Sequence, residues 1–229
     1  MPTAQAIKIQ SKSINDSTVQ RRSKGERTRE KILLAAIDVL AEHGIKGTTH
    51  RAIASYAQIQ LSLTTYYFKD IRELVQQAFQ LNSEYLRTET ILQKAFTSLA
   101  HIDKTSLRKI AAKNELCEQL ATMTATYLLE NIKKEAVALS VEQLMFTTVQ
   151  VSPELKKLAQ EHSESQLRPF TQLASYFNKK DPEIDAQMMR TIFSQLQYSQ
   201  LALTTDELAI EPIQKVTRKL MGWIMGLKS

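Results

Sequence analysis

Between Arg27 and Leu74 three helical runs follow one another with breaks of only a few residues, and this spacing constrains the fold more than any other feature of the chain. Over residues 27–43, Ile32, Ala36, Val39 and Leu40 recur at helical spacing, with Leu33 and Ile37 widening the stripe. Gly44 suits a left-handed cap, and Thr48 and Thr49 offer an N-cap for a second helix over about 50–57, with Ile53, Ala54 and Ala57 inward. Gln58-Ile59-Gln60 then separates a third segment, 61–68, and Asp70 caps a fourth helix from Ile71 into the mid-90s, with Leu74, Ala78, Leu81, Tyr85 and Leu92 on its buried face.

The rest of the chain continues in the same manner. Glycine and proline occur only five times each in 229 residues, which favours helices over strands joined by tight turns. The pattern predicts helices over about 107–129, with a break near Asn114, and over 134–150. Another starts at Pro153 and runs to Phe177, with a kink at Pro169. Asp181-Pro182 opens a helix to about Leu203, and the last runs from Pro212 to Leu227. The expected fold is all-α, with a polar, Ser-rich disordered arm over 1–24, a helix-turn-helix domain over 25–75 and a larger helical domain over 76–229.

Charge separates these regions. The net charge is +6; residues 1–75 hold 12 Lys or Arg against 7 Asp or Glu, and the remaining 154 residues hold 18 against 17. The surplus at one end calls for an anionic partner, nucleic acid or an acidic protein, or is a solvated basic tail. No stretch is long and apolar enough for a membrane span, and residues 1–24 lack the apolar segment of a secretory signal, so the expected location is cytoplasmic. The single Cys117 leaves no internal disulfide and no multi-cysteine zinc site. His43, His50, His101 and His162 are scattered, and phosphate loops, dinucleotide fingerprints and nucleophile elbows are missing. The chain therefore reads as no enzyme, with no catalytic residue, no metal and no cofactor.

Closely spaced helices with a tight turn and a basic surplus fit a helix-turn-helix, in which one helix enters a groove about 12 Å wide and another holds it at an angle. Thr48-Thr49-His50-Arg51-Ala52-Ile53-Ala54 resembles the second-helix motif TTxRxIA of the TetR family. Tyr66-Tyr67-Phe68-Lys69-Asp70-Ile71-Arg72-Glu73-Leu74 resembles that family's YYFxxKEEL, in the expected order and with the expected gap. The chain departs from the pattern at Gln58, where glycine is usual, at Gln60, where Ser or Thr caps the recognition helix, and at Ile71, where a base is common.

The resemblance implies double-stranded DNA as partner. Thr48, Thr49 and Tyr67 would bind phosphate, His50 or Arg51 backbone or a base, and Leu61, Ser62, Leu63 and Thr65 base edges. Lys69 or Arg72 would replace the base missing at Ile71, and Tyr66 is either readout or core. It further implies a repressor released by a small-molecule effector, and a homodimer paired through helices at roughly 183–203 and 211–227. Met188, Met189, Ile192, Phe193, Leu196, Met221, Ile224 and Met225, together with Trp223, supply apolar surface there. Candidate pocket residues are Met123, Tyr127, Leu144, Met145, Phe146 and Phe170, any one of which is equally ordinary core. The alternative is a helical adaptor that binds an acidic protein through its basic end.

Overall fold

The computed structural model describes residues 24–86, 97, 99, 106–148 and 152–227. Apart from Lys24, the expected N-terminal arm lies outside these residues, as do Leu92 and the continuation of the fourth helix into the mid-90s. The chain divides into two compact units between Ala78 and Phe79. Among the described residues there are helices and no strands.

In the first unit, α1 spans Lys24–Gly47 and buries Ile32, Leu33, Ala36, Ile37, Val39 and Leu40. Gly44, at φ +63° and ψ −177°, interrupts it, a conformation that a residue without Cβ adopts at little cost. Two short helices follow, α2 at His50–Tyr56 and α3 at Leu61–Tyr67, and α4 covers Ile71–Tyr85 across the division. Phe68 and Leu74 are fully buried and fasten the two ends of the α3–α4 connection to the core.

In the second unit, α5 spans Ile110–Lys134, α6 Ala136–Thr148, α7 Pro153–Phe177, α8 Pro182–Gln200 and α9 Ile210–Ile224. Asn114 does not break α5. Asn costs a helix interior only a few tenths of a kcal/mol more than an average residue, and buried Leu116 and Leu120 hold the segment in place. α7 likewise runs through Pro169 without interruption. Packing along α8 outweighs the roughly 3 kcal/mol that an interior proline costs. Ser152 caps α7, its hydroxyl accepting from the Leu155 amide at 3.1 Å, with Pro153 in the first turn.

α9 lies along α5, fixed by the Thr217 hydroxyl donating to Ala121 O at 3.2 Å and by Lys113 Nζ donating to Met225 O at 3.1 Å. Tyr85, expected inward, is half exposed. Asn82 takes the buried position one turn earlier and donates its amide to Ala138 O at 2.9 Å.

Candidate nucleic-acid interface and effector cavity

The α2–α3 connection sets the direction of α3. Ala57 ends α2, Gln58 sits at φ +53°, and two bonds close the turn: Gln58 N to Ser55 O at 3.1 Å and Ile59 N to Ala54 O at 3.0 Å. This is a Schellman arrangement built on a residue with a Cβ. The missing glycine thus leaves the left-handed geometry in place, at a conformational cost of about 1–2 kcal/mol. Gln60 occupies the N-cap of α3 without a side-chain bond.

The two threonines before α2 differ in role. Thr48 is 4% exposed and donates its hydroxyl to Gly44 O at 2.7 Å, so it braces the end of α1. Thr49 is exposed, and its oxygen accepts from Ala52 N at 3.1 Å, which leaves the hydroxyl proton free to donate outward. Arg51 is exposed. His50 is half-buried, with neither ring nitrogen hydrogen-bonded.

α3 is sided. Thr64 is wholly buried, its hydroxyl turned back to Leu61 O at 2.8 Å, and Phe68 closes the same face. Leu61 at 42%, Ser62, Thr65 and Tyr66 at 74% are exposed, and Leu63 and Tyr67 are partly so. Tyr66 therefore stands in solvent, its ring edge-on to Tyr67 with centroids 5.1 Å apart. Lys69 and Arg72 are exposed beside it, and Asp70 accepts from Arg72 N at 2.9 Å at the start of α4. The Arg29 guanidinium lies 5.1 Å from the Phe68 ring and bonds Gln77, which ties α1 to α4.

The second unit encloses a cavity of about 40 Å³. Tyr127 and Phe170 line it, along with Leu120, Leu139, Phe193 and Met221. Met123, Leu144, Met145 and Phe146 do not: Met145 is core, Met123 packs against the core cluster and the Phe146 ring faces His162 at 6.0 Å. One wall is polar. Glu142, at 7% exposure, receives Gln166 Nε2 at 2.8 Å and His162 Nε2 at 2.6 Å on one oxygen and the Tyr198 hydroxyl at 2.9 Å on the other. Burial, and then the Glu142 carboxylate, push the Tyr198 pKa far above its ordinary value. Arg190 and Gln197 complete the wall. Sequence reasoning missed this wall, although Glu142, the one charged residue in the helix AVALSVEQLMFTT, was a readable signal.

Of the residues expected to pair two copies, Met189, Phe193, Met221, Ile224 and Met225 lie inside the core of the unit. Ile192 and Leu196 pack against that core, and Met188 and Trp223 are exposed, at 36% and 51%. Ile184 and Val216 are the other exposed large apolar residues of α8 and α9, and Lys219 Nζ lies 5.5 Å from the Trp223 ring centroid. Among the described residues no group of three or more acidic, His or Cys side chains could hold a metal, and no helix is long and apolar enough to cross a membrane.

Residues 32–78 match the family model of bacterial regulatory proteins, tetR family. No curated protein matches the chain. Solved structures share its fold along nearly its whole length. A TetR-like transcriptional regulator from Rhodococcus sp. RHA1 is 17% identical and superposes with a TM-score of 0.58, over 88% of this chain and 97% of that one. A TetR-family member from Streptomyces coelicolor A3 is 21% identical, with a TM-score of 0.55 over 84% and 97%. The multidrug binding protein EbrR complexed with ethidium is 23% identical, with a TM-score of 0.53 over 84% and 97%.

Proposed function

We propose, from the premise that this chain is a regulatory protein of the tetR family, that it is a repressor which reads DNA through α3 and is released by a small molecule held in its second unit. The observation that carries the reading is the sidedness of α3. Thr64 and Phe68 are buried and anchor the helix, while Leu61, Ser62, Thr65 and Tyr66 are exposed, the Thr65 hydroxyl donating to Ser62 O at 3.1 Å and keeping its lone pairs for a donor outside. A Leu or Thr methyl packs on a thymine methyl, and Ser and Thr hydroxyls bond several base edges. Thr49, Tyr67 and Lys69 grip phosphate around that helix, His50 and Arg51 border it, and Thr48 acts from behind by holding the end of α1.

The protein works as a homodimer in the cytoplasm, because two recognition helices related by a two-fold are what a near-palindromic operator requires. Ile184, Met188, Val216 and Trp223 are the exposed apolar residues that pairing of α8 and α9 would cover. The cavity, in a fold that holds ethidium in EbrR, is the effector site. An effector acts by favouring a dimer geometry that mis-spaces the reading helices.

Selection of genomic fragments by the purified protein, followed by titration of a selected and a scrambled duplex, tests the reading. The selected duplex is expected to bind with a clear preference that high salt weakens. Absence of binding to every duplex at low salt overturns it. Sedimentation is expected to show a dimer, with dissociation on Trp223→Arg; a monomer at micromolar concentration, with and without DNA, removes the dimer.

A further inference from the structure

We infer that the cavity of the second unit takes a compact organic anion, an apolar body ending in a carboxylate or similar oxyanion. The inference rests on the reading of this cavity as an effector site. Arg190, Phe193, Ser194 and Gln197 fall at i, i+3, i+4 and i+7 on α8, and all four line the cavity. Arg190 Nε and Gln197 Nε2 are buried there without a hydrogen-bond partner, and Gln197 as a whole is only 9% exposed. A buried donor left unsatisfied is costly, more so on a charged group, so an acceptor supplied by a ligand is strongly favoured at this wall.

The acidic group nearby does not fill that need. Both Glu142 oxygens are already engaged, Oε1 by His162 and Gln166 and Oε2 by Tyr198. The carboxylate is held within its own network, and the atoms left unmatched at the cavity are a guanidinium N–H and an amide N–H. Both are donors, and neither has an acceptor. A cationic ligand would find Oε1 of Glu142 filled and only the second lone pair of Oε2 left, and would face the Arg190 charge. Leu120, Leu139, Phe170 and Met221, which also line the cavity, offer an apolar surface to the rest of the ligand. The space of about 40 Å³ is smaller than the roughly 150 Å³ that takes a six-carbon ring, so side chains lining the cavity must move aside for a body of that size.

Hexanoate, hexan-1-ol and hexylammonium share one apolar body and differ only in the head group, so calorimetric titration of the full-length protein with each of the three tests the inference. Hexanoate is expected to bind at least about tenfold tighter than hexanol, the difference that one hydrogen bond to a charged partner makes, and hexylammonium more weakly than hexanol. Arg190→Gln is expected to abolish the preference for hexanoate. Retention of binding to the selected duplex serves as its folding control, and the ranking on the unaltered protein decides the matter if the variant does not fold. Equal binding of the three, tighter binding of hexylammonium, or a preference for hexanoate that survives Arg190→Gln overturns the inference and leaves the effector cavity standing. No binding of any of them at millimolar concentration removes the effector cavity as well.

Discussion

The amide of Ile59 donates to the carbonyl of Ala54 at 3.0 Å, around a Gln58 held at φ +53°. The turn between the two short helices therefore has the geometry that glycine ordinarily supplies, in a chain that has no glycine there. Left-handed backbone costs a residue with a Cβ about 1–2 kcal/mol, and glycine gives back roughly 0.5–1 kcal/mol of that through its greater freedom in the unfolded chain. Gln58→Gly is expected to stabilise the first unit by about 0.5–1 kcal/mol on balance. Thermal denaturation measures it, and a fall in melting temperature would show that the Gln58 side chain contributes something the turn geometry does not reveal. Affinity for DNA should stay unchanged, because the direction of α3 is set by backbone bonds already present.

The adjacent threonines should separate in a pair of substitutions. Thr48→Val keeps the shape of a buried residue but removes the donor to Gly44 O, leaving that carbonyl short of a partner at a cost of about 1–3 kcal/mol. Thr49→Ala removes an N-cap, at a cost of about 1 kcal/mol, and also takes away a hydroxyl that faces outward. The expectation is that Thr48→Val lowers stability more, while Thr49→Ala weakens DNA binding more once both are compared well below their melting temperatures. Denaturant titration and duplex binding on the same samples check it. Equal loss of DNA affinity in both would place the two hydroxyls in one role.

The threonine pair also marks where reading the sequence reaches its limit. The order and approximate ends of the helices were legible, because stripes such as Ile32, Ala36, Val39 and Leu40 and breaks such as Gly44 and Asp181-Pro182 are local signals. Which of two neighbouring threonines turns inward is decided one residue from a helix end, where periodicity says nothing. Met189, Phe193 and Met221 were legible as apolar surplus on α8 and α9, but a surplus can face a partner or an interior, and in this unit α5 and α7 absorb it. The polar wall of the cavity was the least legible. Glu142, Gln166, Arg190 and Tyr198 come from three helices, and only their three-dimensional packing brings them together.

The reading head should show two classes of effect. Tyr67→Phe removes a hydroxyl expected on phosphate, so affinity falls for cognate and scrambled duplexes alike. Thr65→Ala and Ser62→Ala alter the exposed face of α3, so the preferred base pairs change, at about 1–3 kcal/mol for each mismatched pair. One titration series with both duplexes separates the classes. If Tyr67→Phe and Thr65→Ala leave affinity and preference untouched, α3 is not the reading helix, exposed as its outer face is.

The network around Glu142 makes stability depend on pH in the alkaline range. Burial, and then the neighbouring carboxylate to which its hydroxyl donates at 2.9 Å, raise the Tyr198 pKa in the folded state. In the unfolded chain tyrosine loses its proton near pH 10. Above that pH the unfolded state binds fewer protons than the native state, so the stability contributed by Tyr198 is complete below about pH 10 and declines as pH rises beyond it. Tyr56 and Tyr127 are shifted in the same direction, chiefly by burial, and share in the decline. Tyr198→Phe is expected to lower stability at neutral pH by about 1.5–3 kcal/mol, because Glu142 loses a donor, and at the same time to flatten the alkaline slope. Unfolding free energies measured from neutral pH to about pH 11 check both effects together. A variant that is less stable at neutral pH yet keeps the full alkaline slope would show that Tyr198 ionises as easily in the fold as outside it.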